Sequence, residues 1–497
     1  MGFYEDYKPF RNYMRRFSLV ESLVDVWRYS LHILNDAPLP ADYAIGKPPF
    51  EPIKHSVWPW ELDILAREIV LNATTKGDRS LRRWNDLAGA INHIKRLDNE
   101  AYVAFGDQRD VLLEMHRIVH RQFPWQTGVG VNPLMRAFRI FGRGAVEAIV
   151  IREFKLTMRQ ILLIGMAMIG HFQKSPGMSN YDCSELGVPQ DSSRAFFARL
   201  TSTIDALRAL TVKQQSYGPD WTYAWNPLEA TPLISFDQKH PERVICPIPF
   251  YLLRRISTGI FYDLVNKPDF DNTFGESFQI YVGEVIEFAC KPPRFAIIPG
   301  ESYYIGSKKF HGVDWILSDA TGHLFIEAKT KRLTLGAKIR SINDYLDRDL
   351  ATMATAIVQH YQNILRALDG KTRWKPDGLP IYPLILTLED WFIFSPSVVD
   401  ILHNHVRRLL HERDVSEQVL TDMPFTIASA HEFEAASQVI AQVGVDALMS
   451  KKTSLEQRSW ALLQFMRGHF ADEMKRINWA IFEADWNQLL TPLSGDD

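Results

Sequence analysis

From Gly275 onward the sequence keeps changing its period, and this limits the fold more than any other feature of the chain. A helical stretch, GESFQIYVGEVIEFA, gives way to strand-like FAIIP, a long loop, and two apolar runs, GVDWIL and LFIEAKT, around the turn SDATGH. A helix of four or more turns follows, DYLDRDLATMATAIVQHYQNILRAL, in which Leu346, Leu350, Met353, Ile357, Ile364 and Leu368 line one face. The strand YPLILTL with WFIF, a helix capped by Ser397, the strand FTIASA and the helix HEFEAASQVIAQVG complete the order. Strands that alternate with helices call for an α/β sheet covered by helices on both faces.

Upstream, residues 1 to about 235 read as mostly helical. Segments such as SLVESLVDVWRYSLHIL and DVLLEMHRIVHRQF repeat apolar residues at helical spacing, with Pro-rich breaks at Pro38 to Pro52 and at Pro124. The expected division is a helical N-terminal region (1–245) for nucleic-acid or partner recognition, an α/β domain (246–440), and a helical tail (441–497) packed on that domain. A chain of 497 residues has room for several such cores. The longest apolar run, Ile161 to Gly170, is about half the roughly 20 residues of a membrane span and reads as a buried helix. Cys183, Cys246 and Cys290 lie far apart and form no CxxC pair, which suits a reducing compartment. The start of the sequence lacks the apolar core of a secretory signal, so the expected setting is cytoplasmic, with no membrane partner.

The stretch FHGVDWILSDATGHLFIEAKTKRL, Phe310 to Leu333, carries the chemistry. Asp314 opens one apolar strand, and Glu327 and Lys329 close the next. Because side chains alternate along a strand, Glu327 and Lys329 share a face while Ile326 and Ala328 point the other way. A turn through Ala320 to His323 folds Asp314 back towards them. Two carboxylates inside an apolar hairpin are costly to bury without a compensating cation. Carboxylate oxygens and waters suit Mg²⁺, with Mn²⁺ as the alternative ion, and Lys329 is placed to act on a bound water or a phosphate.

This pattern, Asp314, twelve residues, Glu327, one residue, Lys329, preceded by a helix carrying Glu276, resembles the PD-(D/E)XK superfamily of restriction-endonuclease-like nucleases. The resemblance covers roughly Gly275 to Ala430. It implies a restriction-endonuclease-like core, a metal held by Asp314, Glu327 and Glu276, and a water assisted by Lys329. It further implies Mg²⁺-dependent endonuclease activity on DNA, with products carrying 5′-phosphates. Val313 stands where many relatives have Pro, and Gln279 where relatives often carry Glu, so Gln279 is the alternative third ligand. Large helical extensions on such cores are similar to those of bacterial anti-phage defence effectors, where the extension senses nucleic acid or docks a partner subunit; two-strand cutting would further favour a homodimer or paired subunits. The alternatives are a non-catalytic DNA-binding or scaffold subunit on the same fold, and a nuclease acting on RNA or in repair or transposition.

The net charge of −3 argues against wholesale coating of nucleic acid, so contacts with it must be local. After Lys329 come Lys331, Arg332, Lys338 and Arg340 with no acid among them, a natural set of phosphate contacts. Between Met115 and Val146 there are five Arg and no acid up to that point, and Arg136, Arg139 and Arg143 recur at helix-face spacing beside Phe138 and Phe141. The bland reading of this stripe is a solvated charge face. His116 and His120 lack the intervening Glu of a zinc protease motif and read as packing residues. Gly370-Lys371-Thr372 lacks the upstream Gly of a phosphate loop, so no nucleotide cofactor is expected. Residues 1–245 carry 30 basic and 27 acidic residues, and the remainder 26 and 32, so the acidic excess falls on the half expected to hold a metal.

Overall fold

The structure is a computed structural model that describes residues 2–46, 50–103, 111–126, 130–179, 182–340, 344–393 and 395–493. The chain forms two compact units. One comprises Met1–Arg109, Arg121–Pro268 and Ala484–Asp497, the other Asp110–His120 and Asp269–Glu483. Residue 245 thus lies inside the first unit, and the stretch 441–497 is divided at Glu483.

The first unit is helical, as its periodicity requires. Leu19–Asn35, Pro59–Asn72 and Trp84–Val103 bury Leu23, Leu65, Ile69 and Ile91 with Phe10 and Trp221 in one core. Ser18 stands at the N-cap position of the first of these. The apolar run at Ile161 lies in the helix Met158–Phe172, with Ile161 to Ile164 buried. No helix among the described residues is long and apolar enough to cross a membrane. Pro124, expected as a break, lies inside the helix Val111–Gln126, two residues before its end, where little helix remains to be disrupted. A small sheet joins Gly177–Met178, Val244–Ile245, Leu233–Ser235 and Thr201–Thr203. Its strands of two or three residues are too short to print an alternation on the sequence.

The second unit is a mixed α/β structure. It opens with α1 (Phe270–Ala289) and β1 (Ala296–Pro299). The expected loop then contains a hairpin, β2 (Ser302–Ile305) and β3 (Lys308–His311). Next come β4 (Trp315–Ser318), β5 (His323–Lys329), α2 (Leu335–Ile339), α3 (Asp344–Leu368) and β6 (Ile381–Thr387). The unit continues with α4 (Pro396–Glu412), β7 (Thr426–Ser429) and α5 (Ala430–Val443). The sheet order is β7-β6-β5-β4-β1, parallel across β7, β6 and β5 and antiparallel across β5, β4 and β1.

Every residue of β6 is buried, as expected of a central strand covered on both faces. One face, with Ile316, Phe325 and Ile385, packs on the apolar stripe of α3 and on Val398, Leu402, Val406 and Leu410 of α4. On the other, α1 and α5 are joined by the Tyr281 hydroxyl donating to Glu434 at 2.6 Å. Two local expectations shift. Ser395, rather than Ser397, stands at the N-cap position of α4, because Pro396 takes the first helical position, which needs no N–H. Trp391 to Ile393 form loop rather than strand, with the Trp391 indole donating to the Lys331 carbonyl at 3.2 Å; Phe394 lies outside the described residues.

Candidate functional site

The site forms where β4 and β5 pair. Trp315 faces Ile326 across the ladder, and the Asp314 N–H continues it by donating to the Ile326 carbonyl at 3.1 Å, which sets Asp314 beside Glu327. The turn is tied by Asp319, whose carboxylate accepts from the N–H groups of Thr321 at 2.8 Å and Gly322 at 3.1 Å. The Asp314 carboxylate reaches past the strand end and accepts from the Ala328 N–H at 2.7 Å. Lys329 donates to Oε1 of Glu327 at 2.6 Å, so the two share a face as alternation requires.

Behind them stands His360, on the buried side of α3 and 1% exposed. Its Nε2 lies 3.0 Å from the Phe325 carbonyl, and a carbonyl only accepts, so Nε2 carries the proton. Nδ1 is thereby the ring atom left to face Oε2 of Glu327, 3.5 Å away. Neither Nδ1 nor that oxygen has a hydrogen-bond partner at bonding distance, although both are buried. His360 has a faint sequence signal: it is a polar residue three after Ile357 and four before Ile364, within the apolar face.

The electrostatics follow from this crowding. Burial and the neighbouring Glu327 charge push the Asp314 carboxyl up to about 7, against the pull of the Ala328 N–H and Lys329. Burial also works to raise Glu327, but the His360 ring, which favours the carboxylate when Nδ1 carries a proton as well, and the Lys329 ammonium outweigh it and leave Glu327 below the usual carboxylate range. For Lys329, burial works downward and the Glu327 and Asp314 charges overcome it, so its ammonium is held above the ordinary value.

Other expected members stand elsewhere. Glu276 is exposed on α1, and Gln279 contributes its backbone, the Trp315 indole donating to its carbonyl at 2.8 Å. The reason is a matter of faces. Helix α1 docks on the Trp315 indole through Gly283, where even a Cβ would come within 2.2 Å of the ring. Asp314, one residue earlier, points to the opposite face of the sheet from Trp315. Among the described residues no group of three His, Cys, Asp or Glu is placed to share a metal ion. The expected ligand set of Asp314, Glu327 and Glu276 is therefore gathered only as far as the first two.

The expected phosphate contacts also fall apart. Arg332 is buried, and its guanidinium pairs with Glu389 at 2.9 Å, where Lys338 joins it at 3.2 Å. Glu389 lies 57 residues from Arg332 in sequence, which is why spacing gave no warning. Lys331 remains exposed, 3.9 Å from Asp349. In the first unit Arg136 is buried, Arg139 forms an ion pair with Asp485, and Arg143 donates from Nε to the Arg139 carbonyl at 2.6 Å. That stripe is bound up within its own unit. His116 and His120 are packed as expected, with rings 4.5 Å apart, and burial pushes His116 down to about 4.

Asp314 and Glu327 fit a hard divalent cation by their chemistry. They are oxygen donors, one carboxyl is held towards protonation by burial and by the other's charge, and an inner oxygen of Glu327 lacks a hydrogen bond. Mg²⁺ is commonly held by one or two carboxylates, with waters and substrate phosphates completing its shell. Comparison with protein-family models, with curated proteins and with solved structures finds no match.

Proposed function

We propose that the second unit is a metal-dependent nuclease with a restriction-endonuclease-like core, hydrolysing phosphodiester bonds of DNA in the bacterial cytoplasm as part of defence against phage or plasmids. One observation carries the reading: Asp314, Glu327 and Lys329 converge at the ends of two paired strands, with Lys329 2.6 Å from Glu327. Asp314 and Glu327 would hold Mg²⁺ or Mn²⁺. Such an ion, when bound, neutralises phosphate charge and makes a bound water more acidic. The protein's own part is to hold two carboxylates on one face and to keep Lys329 charged beside them, ready to stabilise a phosphate oxygen or orient the attacking water. The Ala328 N–H holds Asp314 and Lys329 holds Glu327, with the His360 ring packed behind.

The exposed position of Glu276 favours a second reading, a nuclease fold kept for DNA binding or as a scaffold subunit. Cleavage decides between them. Purified protein is incubated with supercoiled plasmid, linear DNA and RNA in Mg²⁺, Mn²⁺ or EDTA, beside Lys329→Ala. The nuclease reading expects metal-dependent cutting to 5′-phosphate ends, slowed about 100-fold or more in Lys329→Ala. No cutting of any substrate, or equal cutting by Lys329→Ala, removes it. RNA cut in preference to DNA changes the substrate but keeps the chemistry.

A further inference from the structure

The hairpin β2–β3 sits directly before Asp314 and has no part in the main sheet. Its base is fixed at the site. The Gly300 N–H donates to the Asp314 carbonyl at 2.7 Å, and the Gly312 N–H to the Glu301 carbonyl at 2.9 Å. Its two-residue turn has Gly306 at a φ of 60°, a left-handed value that glycine adopts without strain. Tyr303 and Phe310 pair across the strands and hold the hairpin down, with Tyr303 buried and the Arg366 guanidinium 4.4 Å from the Phe310 ring.

The other face carries Tyr304, Lys309 and His311, all exposed, and Lys308 is exposed beside the turn. No acid occurs between Ser302 and His311. The loop after α3 lies against the hairpin base, because the Arg373 side chain, 91% exposed, pairs with Glu301 at 3.1 Å. That loop adds exposed Lys371 and Lys375, while its Asp377 is engaged by His323 at 2.8 Å. The half of the chain from 246 on has an acidic excess, 26 basic residues against 32 acidic. Six cations gathered on or near the hairpin, Lys308 on the Phe310 face and Lys309 on the other, outnumber the three acids beside them, Glu301, Asp369 and Asp377, and stand out from that background.

We infer that this hairpin, with the loop after α3, grips the phosphodiester backbone of a nucleic acid and delivers it to Asp314 and Glu327. The inference rests on the nuclease reading of the site and takes over the role expected of Arg332. A polyanion is the partner the charge selects. Lysines on a projecting hairpin contact phosphates irrespective of sequence, and Tyr304 offers a face on which a base can stack.

Anisotropy of labelled duplex DNA and of the matching RNA tests it, in EDTA so that nothing is cut, for the parent, a Lys308→Glu/Lys309→Glu variant and a Lys308→Arg/Lys309→Arg variant. The side chains are exposed, so folding should be unaffected, and a melting curve checks this. The expected result is at least a tenfold loss of affinity in the Glu variant and retention in the Arg variant. The slope of log affinity against log salt should become shallower by about 2. The nucleic acid that shows the larger loss is the one the arm serves. Unchanged affinity and slope in the Glu variant, or a parent that binds neither nucleic acid, overturns the inference. A protein whose binding depends on the hairpin but which never cuts in Mg²⁺ loses the nuclease reading alone; one that cuts and binds regardless of the hairpin loses this inference alone.

Discussion

The arginine stripe of the first unit and the carboxylate pair of the second are both charges set at regular spacing, yet the fold treats them in opposite ways. Arg136, Arg139 and Arg143 are absorbed by burial, by Asp485 and by a backbone carbonyl. Asp314 and Glu327 are turned towards each other, and burial together with the Glu327 charge forces Asp314 up to about 7. A spacing tells which side chains share a face. Whether counter-charge meets them there depends largely on residues distant in sequence, and the cluster left with two carboxylates against one ammonium is the one the proposed function uses.

The largest effect should come from undoing compensation where it exists. In the second unit Glu389 serves both Arg332 and Lys338. Glu389→Ala removes the carboxylate paired with a buried guanidinium and should lower stability by about 3 kcal/mol, read as a fall in the urea midpoint. A neutral result would erase the distinction between the two kinds of cluster.

Asp314→Asn should do the reverse. The folded-state pKa of Asp314 lies above the unfolded value of about 4, so the native state binds that proton more tightly. Its contribution is favourable at low pH and is lost as pH rises from about 4 to about 7; above that, ionised Asp314 opposes folding. Asn removes this cost. In EDTA the variant should be more stable than the parent by about 2 kcal/mol at pH 8, after allowance for partial solvent screening, and nearly equal near pH 4. Destabilisation at both pH values would mean that the carboxylate is compensated after all.

A smaller effect sharpens the role of His360. A Gln side chain can reproduce the Nε2 bond to Phe325 and loses the approach to Glu327; an Asn side chain does the opposite. His360→Gln should weaken Mn²⁺ binding about tenfold and His360→Asn less, as removal of a group supporting a metal ligand usually does. Equal affinities would make His360 a packing residue.

Much of this was legible in the sequence. The period of two placed Glu327 and Lys329 on one face, the apolar stripe announced α3 from Asp344 to Leu368, and an apolar run too short for a membrane became the buried helix around Ile161. What escaped notice depended on contacts across the fold. Glu276 satisfied the spacing, but Gly283 docks α1 on the face opposite Asp314. Arg332 read as a phosphate ligand until the chain brought Glu389 back to it. The hairpin of four-residue strands was hidden because Tyr, Lys and His do not alternate in hydropathy, although their charge was visible.

On the proposed reading, Asp314 and Glu327 form a pair that the single Lys329 ammonium compensates only in part, and a divalent cation completes it. Calorimetric titration of Mn²⁺ into the metal-free parent and into Asp314→Asn tests it without any substrate. Saturable binding by the parent and at least a tenfold loss of affinity in the variant are expected. A parent that takes up no Mn²⁺, or a variant that binds it equally well, would contradict it.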